Sequence, residues 1–326
     1  MWFRDLTGFD ETSPDEVRRQ LSQSGNRLHS RVNGKSWICG RLEVITLGEL
    51  RGRCELITSG SSLKLDEVVS DAQTLHKDPS NAGALFQVAS QFNLLEMVGP
   101  SISPEAGVGI YENDRTQGPA CAIAAGAGTI YRNYFVPVNG HLGQSSSNQI
   151  DCLEEIGSLL DNTDHRHWKM QNGYALASAA GLKTIATRLE AMSEPQQDEV
   201  RRRLKVGIQW DVQVTLAGCT HLVTQVYCSA MPVAYSGHSY DAWKPFAALI
   251  LEAAYEATLC AGRLNAQQTG NRTVFLTQLG GGAFGNESTW ILQAIERACR
   301  LHQHSGLSVK MISYGAPDPM LQRLCN

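Results

Sequence analysis

No run of apolar residues in this chain reaches the length of about 18 that a membrane-crossing helix needs, and its start does not read as a signal peptide. A soluble, intracellular protein with no membrane partner is therefore expected. Paired cysteine motifs are missing too. The nine cysteines (Cys39, Cys54, Cys121, Cys152, Cys219, Cys228, Cys260, Cys299 and Cys325) are scattered, odd in number and never spaced C-x-x-C. That pattern argues against a disulfide frame or structural zinc and for a reducing compartment, the cytoplasm, with the thiols as small core residues. Basic charge is also short: 28 Lys and Arg stand against 32 Asp and Glu, a net charge of −4. The densest cluster, Arg201-Arg202-Arg203 with Lys205, follows Asp198 and Glu199 and reads as a solvated helix face, so no nucleic-acid partner is expected. Internal repeats and low-complexity linkers are absent. What remains is 326 residues, 42% of them hydrophobic, enough for a full core. The expectation is a single domain over 1–326, in which 1–80 is an N-terminal extension packed on the core.

The most informative stretch lies late: Gly280-Gly281-Gly282-Ala283-Phe284-Gly285-Asn286. It stands between a short apolar run, Thr273–Thr277, and a helix-like stretch starting near Glu287, in which Trp290, Ile291, Ala294, Ile295, Ala298 and Leu301 recur at helical spacing. The order strand, glycine loop, helix start is that of a phosphate site, read here as one for a diphosphate. Glycines let the backbone turn and approach a ligand, and the helix start supplies unpaired N–H groups. The loop ends Gly285-Asn286-Glu287 without Lys, which excludes a nucleoside-triphosphate P-loop. It does not read as G-x-G-x-x-G, which also needs a ribose-binding acid further on. The plain alternative is a tight strand-to-helix turn.

A second constellation follows the apolar run Ala84–Ser90. Asn93 stands just past that run, and a loop with Pro100, Pro104, Gly107 and Gly109 leads to a helix start at Gln117-Gly118-Pro119. Glu96, Glu105, Glu112 and Asp114 supply four carboxylates on this one stretch. Ligands sit at such sheet ends in open α/β folds. Each acid taken singly has a structural alternative, because acids before a helix are favoured by its dipole and by capping.

The remaining pattern predicts a helix from Pro14 carrying Val17, Leu21, Leu28 and Val32, and strands over 36–58. It further predicts a short helix over Leu63–His76, helices over Pro119–Arg132, Ile150–Asp161, Ala177–Met192 and Pro195–Leu204, and an exposed loop over 139–150. Strands are expected at Val206–Leu216, Leu222–Tyr235, 273–278 and 308–313, and helices at Pro245–Leu264 and 287–303. Trp2, Phe3, Leu6 and Phe9 are expected to pack on the body. Strands alternating with helices point to a three-layer α/β/α architecture with a mixed sheet. His165 and His167 with Asp161 and Asp164 share one polar loop without a matching set elsewhere, so neither metal nor cofactor is expected. His238 is read as a surface residue, with a base as the alternative.

The segments Phe86–Glu96, Asp114–Pro119 and Gly280–Asn286 together resemble a macrodomain. The likeness is to the branch related to poly(ADP-ribose) glycohydrolases and, within it, to arginine-specific ADP-ribosyl hydrolases of the bacterial-effector type. It spans about residues 80–313. In that fold an early strand end supplies an Asn for the distal ribose, a following loop supplies catalytic acid, and a late loop ending Gly-Ala/Val-Phe-Gly wraps the diphosphate. The resemblance implies Asn93, Gln117, Gly280, Gly281, Gly282, Ala283, Phe284, Gly285 and Asn286 as ligand-binding residues. It implies Asp114 as the foremost acid, helped by Glu105, Glu96 or Glu112, with ADP-ribose and mono-ADP-ribosylated protein as partners. One departure stands out. Poly(ADP-ribose) glycohydrolases carry a Gln-Glu-Glu triplet, whereas Gln117 here is followed by Gly118 and Pro119. Cleaving ADP-ribose from arginine breaks an N-glycosidic bond through an oxocarbenium-like state, which carboxylates stabilise while also facing the guanidinium. A module that binds ADP-ribose without cleaving it is the rival reading, and the acidic loop is the feature that such a module does not need.

Overall fold

The structure, a computed structural model, describes residues 1–55, 57 and 60–325. At its centre is a seven-stranded mixed sheet in the order Arg41–Thr46, Lys205–Gln213, Leu222–Cys228, Leu85–Ala89, Thr273–Leu276, Ser308–Ser313, Lys64–Val69. Lys205–Gln213 runs antiparallel to both its neighbours, and every other pairing is parallel. The stretch 1–80 contributes both edge strands.

Helices cover both faces. On one lies the 30-residue helix Tyr240–Thr269, apolar almost all round, with Leu47–Cys54, Ala179–Ala191, Glu194–Arg202 and Ser288–Leu301 beside it. On the other lie Ala72–Lys77, Gln117–Ala124 and Gly126–Tyr134. The central strand alternates accordingly: Gln87 donates to Thr258 of the long helix at 2.9 Å, while Phe86 stacks between His76 and Phe275. This is the α/β/α mixed-sheet architecture expected from the sequence.

Several elements differ from expectation. The helix from Pro14 ends at Gln20, and Leu21–Ser24 pairs antiparallel with Arg27–Ser30 around Gly25, whose φ is +58°. Leu21 and Leu28 are both buried, so a seven-residue spacing that suits a helix serves here as one hairpin face, while Val32 is exposed. Within 36–58, strands Ser36–Ile38 and Arg41–Thr46 give way to the helix Leu47–Cys54, started by a reciprocal cap between Thr46 and Glu49. Leu56 and Thr58 of that stretch lie outside the described residues. Residues 63–76 form strand Lys64–Val69 and then helix Ala72–Lys77, because Val68 and Val69 suit the sheet edge and Asp71 caps the helix through Thr74 N–H. The helix over 119–132 starts at Gln117 and breaks at Ala125 before resuming as Gly126–Tyr134. The strand from Leu222 stops at Cys228, before Pro232. The stretch 139–150 carries part of a short ladder between Pro137–Val138 and His141–Leu142. The helix over 150–161 shortens to Glu154–Leu159. A hairpin, Trp168–Gln171 with Tyr174–Ala177, and a terminal helix, Pro319–Cys325, were not expected.

Candidate active site

Three adjacent parallel strands, Leu222–Cys228, Leu85–Ala89 and Thr273–Leu276, end along one rim of the sheet. The loops that leave them enclose a cleft of about 350 Å³. Ala89, Ser90, Gln91 and Glu96–Val98 form its floor and one side, and Thr277–Gly280 with Gly282–Phe284 form the other. The start of helix Gln117–Ala124 faces it, and Tyr174 and Tyr235 close its mouth. Tyr174, Tyr235 and Phe284 pack on one another with ring centroids 5.0–5.6 Å apart.

The glycine loop is built by two kinds of residue. Gly280 and Gly285 have φ of +74° and +68°, and a Cβ would lie 2.4 Å from that of Ala230 and 2.9 Å from that of Ala234 respectively. Only glycine fits either place. Asn286 pins the loop, donating through Nδ2 to Met231 O at 2.8 Å and through its N–H to Gly280 O at 2.9 Å. The N–H groups of Gly281 and Gly285 are likewise used within the loop. Those of Gly280, Gly282, Ala283 and Phe284 make no hydrogen bond among the described residues. These same four residues line the cleft, whereas Gly281, Gly285 and Asn286 do not. The expected ligand loop thus divides into four residues with free donors and three that hold its shape.

The four acids also divide. Asp114 and Glu96 line the cleft; Glu105 and Glu112 do not. Glu105 accepts from the Ser146 N–H at 2.8 Å and from its hydroxyl at 3.0 Å, beside a shallow surface depression near Arg18 and His141. Glu112 accepts from Trp2 N–H at 3.1 Å and ties down the N-terminal helix. Asp114 is half-buried, and its Oδ1 accepts from Thr116 N–H at 2.8 Å just before the helix. Glu96 is buried, and its Oε1 has no partner among the described residues. Burial pushes its carboxyl well above the usual carboxylate range; Arg132 pulls the other way, and Asp114 adds to the rise. The two cleft acids therefore sit in unlike surroundings, one dry and one partly solvated.

Gly118 explains how Glu96 reaches its place. A Cβ at 118 would lie 2.3 Å from Glu96 Oε2 and 2.0 Å from Ala89 O. Position 118, directly after Gln117, therefore has no room for a side chain, and the Glu96 carboxyl packs against it from the preceding loop.

Asn93 is turned away from the cleft. Its Nδ2 donates to Gln149 Oε1 at 2.8 Å, and its Oδ1 accepts from Leu95 N–H at 3.1 Å. It is fully buried, with Gly173 tight against it, so its amide braces two loops and does not meet the cleft. Gln117 lines the cleft, but its amide is pinned to the strand, donating to Gln87 O at 2.8 Å and accepting from Ala89 N–H at 3.0 Å. It takes the place of a neighbouring strand where the ladder stops. Asp161 and Asp164 pair with Arg188 and Arg166, and a ring nitrogen of His238 lies 3.2 Å from Ala177 O.

Tyr174 and Arg132 lay outside the residues singled out by motif and spacing. The Asn172-Gly173 turn, a hairpin signal, would have placed Tyr174 on a strand. Among the described residues no Lys, Arg or His lines the cleft. Any diphosphate would be met by backbone N–H groups and neutral side-chain donors, without a basic side chain among the described residues, and the acids would favour a cationic group at their end.

Neither a family model nor a curated protein matches the chain. Solved structures do match. Poly(ADP-ribose) glycohydrolase from Thermomonospora curvata is 12% identical, with 95% of this chain and 93% of that one covered at a TM-score of 0.47. The enzyme from Deinococcus radiodurans in complex with ADP-ribose is 12% identical, with 87% and 91% covered at 0.45. The Thermomonospora curvata enzyme bound to the inhibitor ADP-HPD gives 12%, 95%, 93% and 0.44.

Proposed function

We propose that this protein is a hydrolase that releases ADP-ribose from modified side chains, arginine foremost, by cleaving the N-glycosidic bond. One observation carries the reading: a single cleft holds four free backbone donors on one side and two carboxyl groups of unlike environment on the other. The donors suit a diphosphate. The acids suit a glycosidic bond, whose hydrolysis uses one protonated and one ionised carboxyl.

The steps follow from the surroundings of each acid. The bond from the anomeric carbon to the guanidino nitrogen breaks, and its electron pair leaves with the nitrogen. Glu96, held neutral by burial, gives its proton to the departing guanidine. Asp114, the half-buried acid, steadies the sugar cation and takes a proton from the water that attacks it. Proton return from Asp114 to Glu96 resets the site. The substrate guanidinium leaves as free arginine guanidinium, so charge and atoms balance. That no Lys, Arg or His lines the cleft among the described residues supports a cationic leaving group.

A second reading has its own support. A neutral Glu96 also suits an oxygen leaving group, which needs a proton, as in the O-glycosidic bond of an ADP-ribose polymer. The test is to incubate the protein with arginine-, serine- and glutamate-linked ADP-ribosyl proteins and with the polymer, and to follow the label. Loss from the arginine substrate is expected. Loss from the polymer alone transfers the site to the second reading. Binding of ADP-ribose with no release from any substrate makes the protein a binding module.

A further inference from the structure

From the helix layer, a buried cation reaches the loop that carries Glu96, two residues before it. Arg132, on helix Gly126–Tyr134, has no exposed surface. Its Nε donates to Leu94 O at 3.2 Å, and its Nη2 donates to Thr129 Oγ1 at 3.0 Å. Its guanidinium carbon lies 3.6 Å from the centroid of the Tyr227 ring, a cation–π contact. It forms no ion pair with a described carboxylate, and its Nη1 has no partner among the described residues. Glu96 Oε1 is idle in the same sense. A buried cation held only by neutral oxygens and a ring is costly, and so is a buried carboxyl with an unused oxygen. The charge of Arg132 favours the ionised form of Glu96, against burial and against Asp114.

The remaining groups that face Glu96 do not supply this balance. Asp114 opposes ionisation. Tyr111, whose hydroxyl accepts from Glu96 N–H at 3.0 Å, stays neutral, as do Cys121, Tyr174 and Tyr227, because burial pushes each of them up. Arg132 is the cation among the groups that act on Glu96.

We propose that Arg132 is a positioning residue for the reaction: its buried guanidinium balances the carboxylate that Glu96 becomes on giving up its proton. The inference rests on Glu96 as the proton donor of the proposed hydrolase. Its test therefore reads Glu96 directly. Carbon-13 resonances of labelled glutamate side chains, with Glu96 assigned through Glu96→Gln, are followed against pH in the full chain. Arg132→Met is expected to raise the Glu96 midpoint by about one pH unit or more. The alkaline limb of ADP-ribose release should move the same way. Arg132→Lys keeps a cation but loses the fork that Leu94 and Thr129 place, so a smaller rise is expected; it decides the matter if Arg132→Met does not fold. A wild-type midpoint in the folded variant overturns the inference, whatever the activity. A raised midpoint in a protein that releases ADP-ribose from no substrate upholds the pairing and ends the hydrolase reading instead.

Discussion

Glu96 carries two consequences of opposite sign. As proton donor it is needed for turnover, so Glu96→Gln is expected to lower ADP-ribose release about a hundredfold or more. As a buried carboxyl it weakens the fold once ionised. Its folded value is raised by burial, so its contribution to stability is complete below the unfolded range near pH 4 and is lost as pH rises through the folded value. Gln mimics the neutral form at every pH. The melting temperature of Glu96→Gln should match wild type at about pH 3.5, below the unfolded range, and exceed it increasingly as pH rises from there; thermal melts against pH check this. Asp114 is the complementary case. Asp114→Asn keeps an acceptor for the Thr116 N–H, so the helix start should survive and the melting temperature stay near that of wild type. Release should still fall about a hundredfold if the charge is what the reaction uses. An active Asp114→Asn protein would leave Asp114 as a cap. Spacing along the chain cannot separate these two acids from Glu105 and Glu112. The separation comes from how the loop is tied. Glu11 accepts from the N–H groups of Val108 and Gly109 and from the Tyr134 hydroxyl, and Glu112 is drawn to Trp2. Those long-range ties leave no local pattern.

At the scale of elements, the order strand, glycine loop, helix was legible because each part has a strong local cause. Thr273–Leu276 is a short apolar run, Gly280 and Gly285 demand positive φ, and Ser288–Leu301 shows one apolar stripe. The first third of the chain was less legible. Short elements there rest on tertiary pairing: Leu21 and Leu28 serve a hairpin, and Lys64–Val69 is a strand because Ser308–Ser313 lies beside it. Asn93 shows the same limit for a site residue. Its position after a strand was correct, but the direction of its side chain was set by Gln149 and Gly173, far along the chain. Asn93→Ala should therefore act on stability, by about 1–3 kcal/mol, since it leaves buried partners unpaired. Chemical denaturation checks that value. A variant that keeps full stability but loses ADP-ribose affinity would return Asn93 to the ligand.

At the scale of the molecule, the site follows from topology. Three parallel strands end on one rim, and their loops bring the free donors of Gly280, Gly282, Ala283 and Phe284 to face carboxyls from residues 96 and 114. The α/β/α layering was legible from alternation of elements; the sheet order, which makes those three strands neighbours, was not. The central claim is that this rim holds ADP-ribose with its diphosphate on the backbone of the glycine loop. Gly282 is the place to test it, because a Cβ there meets open space. Calorimetric titration of ADP-ribose into wild type, Gly282→Ala and Gly282→Asp separates shape from charge. Binding to wild type is expected, with nearly equal binding to Gly282→Ala and binding about tenfold weaker or worse to Gly282→Asp, whose carboxylate repels the diphosphate. Absence of binding to the wild-type protein, or equal affinity in Gly282→Asp, would contradict it.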